Sequence, residues 1–220
     1  MSKHSKVEQM YFILTADIVH SRKVPNRLEI QQEIKIALEY INTKLSDQIL
    51  CPFVIVWGDS FQGALSSLKG FYNIIETLEE KIPVAFRIGI GIGIISTSFS
   101  PNVMEMDGPA FHNSKLALQI AEKNNYHVWV QSGNNQLDRM VNTVLILFYV
   151  VKSRWTTHQK EIIHLRRQGM IYDAIGKVKG ITKQAVNKTL KTAGWSAVSF
   201  ATDTLNDVIF TFFERLEDAI

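Results

Sequence analysis

Residues 84–96, VAFRIGIGIGIIS, constrain the fold of this chain more than any other stretch. Apolar residues alternate with glycine at the period of a strand, so one side carries Gly89, Gly91 and Gly93 and almost no side chain. A strand face stripped of side chains admits a ligand or another backbone at close range. Packing and catalysis are both open to it.

The flanking segments supply the rest of a sheet. Residues 10–18 (MYFILTADI) are apolar, aromatic and β-branched, a buried strand. Pro25 and Asn26 open a long helix with Ile30, Ile34, Ala37, Leu38, Ile41 and Leu45 on one face. Residues 53–57 (FVIVW), the turn Gly58-Asp59 and residues 61–65 read as a hairpin. Residues 68–80 form a second helix closed by Pro83. After the glycine strand come a loop over 98–108, a helix over 109–123 with Pro109 in its first turn, and a strand over 126–131. The order is β-α-β-β-α-β-α-β, and its first six elements have the split βαβ or ferredoxin-like arrangement. The expected class is α+β. It comprises a ferredoxin-like domain over 1–133, a connecting helix within 134–155, a helix-turn-helix domain over 156–195 and a C-terminal amphipathic stretch over 196–220.

A hydrophobic content of 46% against 20% charged residues suits a soluble globular protein with ample core. Cys51 is the only cysteine, so no internal disulfide forms; a small buried residue and a reducing compartment are expected. The first residues lack a secretory apolar run, and the strongest such run, 144–151, is too short to cross a bilayer. The expected location is the cytoplasm.

Charge is distributed unevenly. Residues 155–195 carry eight Lys and Arg against two Asp and Glu, while residues 1–154 carry 15 against 14. A solvated basic face gives the same count, and so does a phosphate-binding module. The helical pattern favours the second. Helices are expected over 158–168, 171–177 and 183–193, with Ala174 at a close crossing, a turn Val178-Lys179-Gly180-Ile181, and Thr182 as an N-cap. Ala185, Val186 and Leu190 then face inward, leaving Lys183, Gln184, Asn187, Lys188 and Lys191 facing out. Gln and Asn suit bidentate contacts to adenine, and Lys suits guanine or phosphate, so double-stranded DNA is the expected partner. The stretch THQKEIIHLRRQGMIYDAIGKVKGITKQAVNKTLKTAGW resembles helix-turn-helix domains of the sigma-region-4 and response-regulator type.

Asp17 ends the first strand in TADIVHSR, and Asp59 lies in the turn of WGDSFQG. In a ferredoxin-like sheet the hairpin brings that turn close to the end of strand one. Two carboxylates there can hold Mg²⁺ bridged by a triphosphate. These phrases, with Arg87-Ile88-Gly89-Ile90, resemble class III nucleotide cyclase domains. Together with MDGPAFH and the helical C-terminus, they make nearly the whole chain resemble the SatD family.

The cyclase resemblance implies metal binding by Asp17 and Asp59 and nucleotide binding by Ile18, His20, Ser21, Glu105 and His112. The backbone of His20, Ser21 and Arg22 would cradle phosphate. Glu105 stands at the acidic base-recognising position and His112 where an Asn is expected. Ile55 occupies the second base-recognising position, and Leu116 replaces the Arg that steadies transition-state charge, with Lys115 one position off. Loss of such a charge can cost ~10³-fold or more in rate, so no catalytic residue is assigned. The reading is a DNA-binding regulator whose first domain senses a nucleotide with Mg²⁺. An active cyclase or related phosphotransferase and a protein-binding adaptor are the alternatives. Residues 202–220 repeat Leu205, Val208, Ile209, Phe212, Phe213 and Leu216 on an amphipathic helix that packs back or pairs with a second copy. A homodimer is expected.

Overall fold

The computed structural model describes residues 9–19, 26–66 and 71–218. Among these lie five strands and eight α-helices. They are β1 (Tyr11–Ile18), α1 (Arg27–Lys44), β2 (Ile49–Trp57), β3 (Ser60–Leu65), α2 (Phe71–Lys81), β4 (Phe86–Gly93), α3 (Pro109–Asn124), β5 (Val128–Gln131), α4 (Asn135–Lys152), α5 (Thr157–Arg167), α6 (Tyr172–Lys179), α7 (Lys183–Thr192) and α8 (Trp195–Asp218). A single 3₁₀ turn, Val103–Glu105, interrupts the loop before α3. The fold is mixed α and β. No helix of the described residues is long and apolar enough to cross a membrane.

The strands form one sheet in the order β2-β3-β1-β4-β5, antiparallel except for the parallel pair β4–β5. β1 is central to the antiparallel part: Ala16 lies opposite Phe61 of β3, and Asp17 lies opposite Arg87 of β4. On β4, Ile88, Ile90 and Ile92 are buried on one face, and the other face is the glycine stripe. That stripe receives backbone. A Cβ at Gly89 would stand 2.2 Å from the Leu118 nitrogen, and one at Gly91 would stand 2.1 Å from both Ala110 O and Ser114 N. α3 therefore lies on β4 with nothing between them. Ile13, Cys51, Ala64, Val103, Met106, Ala110 and Phe111 cluster on this face. The opposite face meets Ile34, Ala37, Leu38 and Ile41, the buried stripe of α1.

Several boundaries differ from the expected ones for local reasons. β2 begins at Ile49 rather than at 53 and runs through Pro52. It is an edge strand, where a missing N–H forfeits no ladder bond. α3 agrees closely with the pattern, whereas β4 spans Phe86–Gly93 and is shorter than the expected 84–96. α8 begins at Trp195, seven residues before the expected start, because Gly194 turns the chain with φ 69° and the next helix begins at once. Residues 68–70, expected to open α2, lie outside the described residues, as do Pro25 and Ile220.

The chain divides into two compact units, residues 1–145 with 205–220, and residues 146–204. The divisions fall inside α4 and α8 rather than at helix ends. The second unit has its own core of Trp155, Ile162, Ile163, Ile175, Val186, Leu190, Ala193 and Val198. Trp155 Nε1 donates to Ala193 O at 2.8 Å. Thr156 and Gln159 form a reciprocal capping box at the start of α5, and Thr182 accepts from Ala185 N at the start of α7. Gly180 ends α6 with φ 67°, a conformation that costs a β-carbon-bearing residue energy. The close approach expected at Ala174 belongs to Gly176. Ala174 is half-buried, whereas a Cβ on Gly176 would meet Ile181 O at 2.7 Å.

The α3–β4 contact gives a direct expectation. Gly91→Ala places a methyl against two backbone atoms that cannot rotate away, so it should cost about 3 kcal/mol or more, the upper end of overpacking losses. The check is the midpoint of urea denaturation. A loss below about 0.5 kcal/mol, the range of ordinary surface changes, would mean that α3 does not bear on the stripe.

Candidate functional site

Two helix and strand ends meet where β1 finishes. The β2–β3 turn, Gly58-Asp59, adjoins that end because the register opposing Ala16 to Phe61 continues to Asp17 and Ser60. The Ser60 hydroxyl donates to Asp17 Oδ1 in a short hydrogen bond. Gly58 adopts φ 58°, which lets the turn close in two residues. α1 starts beside it: Gln31 Nε2 donates to Gly58 O at 3.1 Å, and Arg27 Nη2 lies 3.5 Å from Asp59 Oδ1. Ile18, Arg27, Ile30, Gln31, Ile34, Gly58 and Asp59 line one cleft.

Asp17 and Asp59 are held differently. Asp17 points to the α3 face, since side chains alternate along β1 and Ile18 lines the cleft on the α1 side. Asp59 is mostly buried, and its Oδ2 has no hydrogen-bond partner among the described residues. A buried carboxylate oxygen without a donor is costly. No group of three or more His, Cys, Asp or Glu able to hold a metal occurs among the described residues.

The remaining residues of the expected nucleotide set lie elsewhere. Glu105 sits in the 3₁₀ turn, whose Val103 packs with Ile13, four residues or roughly 13 Å back along β1 from Asp17. It is exposed and accepts from Ser100 Oγ at 2.7 Å and Asn102 Nδ2 at 3.1 Å. Those bonds, Ser100 first, hold its carboxyl below the usual range. His112, in the first turn of α3, is exposed with Nε2 3.2 Å from Asp107 Oδ1. That turn sits by Gly93, which pairs with Tyr11 at the far end of β1. The structure thus brings together Asp17, Ile18 and Asp59, and leaves Glu105 and His112 apart from them. His20 and Ser21 lie outside the described residues, as does Arg22. Leu116 is exposed on α3, as is Lys115.

Arg27, Gln31 and Ser60 belong to this place and were not legible as site residues. Arg27 follows Pro25-Asn26 as the first residue of α1, but nothing in its spacing connects it with Asp59, 32 positions on.

In the second unit, Lys183, Gln184, Asn187, Lys188 and Lys191 are all exposed on α7, and Val186 and Leu190 are buried on its other side. Other basic residues nearby are engaged. Lys179 pairs with Glu161, whose carboxyl it holds down, and Lys177 lies 3.4 Å from Asp173. Arg167 stacks over the Trp195 ring, and Arg166 over Tyr172.

The profile of the SatD family matches residues 11–204 of this chain. The chain belongs to the SatD family. Among solved structures, a bacterial light-regulated adenylyl cyclase is similar at 12% identity, over 55% of this SatD-family chain and 74% of that chain, with a TM-score of 0.43. No curated protein matches it.

The Ser100–Glu105 bond carries its own test. In Ser100→Ala the Glu105 titration midpoint, followed by carboxyl-carbon NMR, should rise toward the ordinary carboxylate value. A depressed folded-state value means that this loop interaction is fully present above the unfolded value and is lost as pH falls through the folded one. An unchanged midpoint would show that Ser100 does not hold the carboxylate.

Proposed function

We propose that this SatD-family protein is a DNA-binding regulator in which α7 reads double-stranded DNA and the sheet unit binds a nucleotide with Mg²⁺ as a signal. The observation that carries the reading is the face of α7, where three lysines, a glutamine and an asparagine stand free opposite Val186 and Leu190. The sequence α6, left-handed Gly180, capped Thr182, α7 supports a helix-turn-helix with α7 as recognition helix. None of Lys183, Lys188 and Lys191 has an ion-pair partner among the described residues, in contrast to Lys177 and Lys179. Cations left free on one helix face suit a phosphate backbone.

For the sheet unit, the order β4-β1-β3-β2 supports a ferredoxin-like core of the first six elements. Mg²⁺ takes one or two carboxylates and completes its shell with phosphate oxygens and water. Asp17 and Asp59, the latter with a buried oxygen lacking a donor, fit that requirement. Leu116 offers no charge to a phosphoryl transition state, which favours binding over cyclisation. Helix-turn-helix proteins usually read two half-sites as dimers, and this supports a homodimer. A protein with these two ligands works in the cytoplasm.

Replacing Gln184 or Asn187 by Ala should cost ~1–3 kcal/mol at the cognate site and relax sequence preference. Lys191→Ala should weaken all duplexes alike and flatten the salt dependence. Fluorescence anisotropy across salt concentrations reads both, and no affinity for any duplex would overturn the DNA reading.

Asp17→Asn should abolish Mg²⁺-dependent nucleotide binding in calorimetry and leave the fold intact. Equal binding by both proteins would make the Asp17 carboxylate structural. Wild-type protein incubated with ATP or GTP and Mg²⁺ should yield little or no cyclic nucleotide, and rapid turnover would establish the enzyme instead.

A further inference from the structure

We propose that Arg27 is a phosphate-binding residue that exchanges partners. In the free protein it occupies Asp59, and when a magnesium-bound polyphosphate enters it releases Asp59 to the metal and takes the phosphate oxygens itself. This deepens the nucleotide reading above and rests on it. Among the described residues the cleft is lined by three isoleucines, a glutamine, a glycine, one acid and one base, so Arg27 is the single cationic side chain of that set. Its Nη2 stands 3.5 Å from Asp59 Oδ1, beyond hydrogen-bond length, and the Arg27 side chain is 64% exposed while that of Asp59 is 21%. An ion pair with one arm largely in water adds little to stability. The fold does not need Arg27 as a fastener, because Gln31 already ties α1 to the same turn through Gly58 O.

The electrostatics favour exchange. Asp59 Oδ1 faces a single positive charge at a loose distance, and Oδ2 is buried without a donor. A divalent cation offers twice the charge and engages carboxylate oxygen directly. The displaced guanidinium stays tethered at the first turn of α1, by the same turn that the metal would occupy. Its planar fork matches phosphate oxygens bidentately. A polyphosphate that carries its own cation satisfies both groups, while a bare cation frees Arg27 with nothing to hold. The recognised chemistry is the phosphate chain with its metal, and a nucleoside triphosphate and an inorganic polyphosphate both supply it.

The test is calorimetry on the full chain with MgATP, MgGTP and magnesium tripolyphosphate, and with Mn²⁺ alone. Arg27→Ala should weaken every phosphate probe that the wild type binds by about tenfold or more, the loss of one charged hydrogen-bonding partner. Mn²⁺ alone should bind the variant as well as or better than the wild type. Arg27→Lys, which keeps the charge without the fork, should recover part of the loss, and all three proteins should melt together. Affinity for MgATP or MgGTP without tripolyphosphate identifies a nucleotide as the source; affinity for tripolyphosphate identifies the phosphate chain itself. Wild-type binding that Arg27→Ala leaves unchanged, or a loss that Arg27→Lys does not recover, overturns the role of Arg27 and leaves the nucleotide reading standing. No binding of any phosphate probe by the wild type overturns both.

Discussion

The contact between the α3 backbone and the glycine face of β4 is the interaction on which the rest of the sheet unit depends. At Gly89 and Gly91 the space for a β-carbon is filled by the carbonyls and amides of Ala110, Ser114 and Leu118. A helix cannot approach a strand so closely over side chains, and helix-to-sheet packing ordinarily leaves a full layer of them between. Ser114, wholly buried at the seam, forms a hydrogen bond with Thr15 on the neighbouring strand, so α3 is keyed to β1 as well as β4. With α3 pinned, the chain after it returns beside β4, and β5 pairs there in parallel. From its first turn at the Tyr11 end, α3 runs along the stripe toward Arg87, the residue opposite Asp17, whose Nη2 donates to Asn125 Oδ1 just past the helix.

A sheet with two open edges invites pairing with other chains, and on each edge here one residue is occupied by the same device. On β2, the Asn42 side chain accepts from Phe53 N and donates to Phe53 O, at 2.8 and 2.9 Å. On β5, Asn142 does the same to Val130 N and O, at 2.8 and 2.7 Å. An amide side chain presents one donor and one acceptor, the same pair that a neighbouring peptide would offer. Each asparagine thus fixes its helix, α1 or α4, in register with an edge strand. For α1 this has a consequence at the site. A helix registered to β2 by Asn42 delivers Arg27 and Gln31, more than three turns earlier, to the β2–β3 turn.

What the sequence revealed and what it concealed divide by range. The outward face of α7 was legible because Thr182, Val186 and Leu190 set its phase within ten residues, and helical periodicity is local. The glycine stripe was legible as a bare face, but ligand and backbone were equal candidates for covering it; the choice rests on Ser114 and Leu118, which sequence spacing does not connect to β4. Gly176 was passed over for Ala174 because both are small, and which of them faces Ile181 depends on a helix phase that shifts with its boundary. Pro52 masked the start of β2, since a proline reads as a stop unless the strand is known to be an edge. Asp17 and Asp59 stood out as acids at strand ends. Arg27, Gln31 and Ser60 did not, because each acts through one long-range contact and none belongs to a periodic pattern.

The two carboxylates sit at the end of the sheet with different surroundings, and that difference bears on how a ligand engages them. Asp17 is on the α3 face, with Ser60 as its donor; Asp59 is on the α1 face, in an apolar cleft, with a cation nearby and one oxygen unserved. A ligand that touches both must therefore come end-on, over the last residues of β1, rather than lie in the cleft alone. On the proposed reading, metal and phosphate meet at this rim. The rim also separates binding from turnover. On the same reading, the groups proposed to hold metal and phosphates stand at this rim, while α3 presents Leu116 to solvent. Affinity needs only those groups. Turnover needs charge placed where it develops in the transition state, and Leu116 supplies none at its own position.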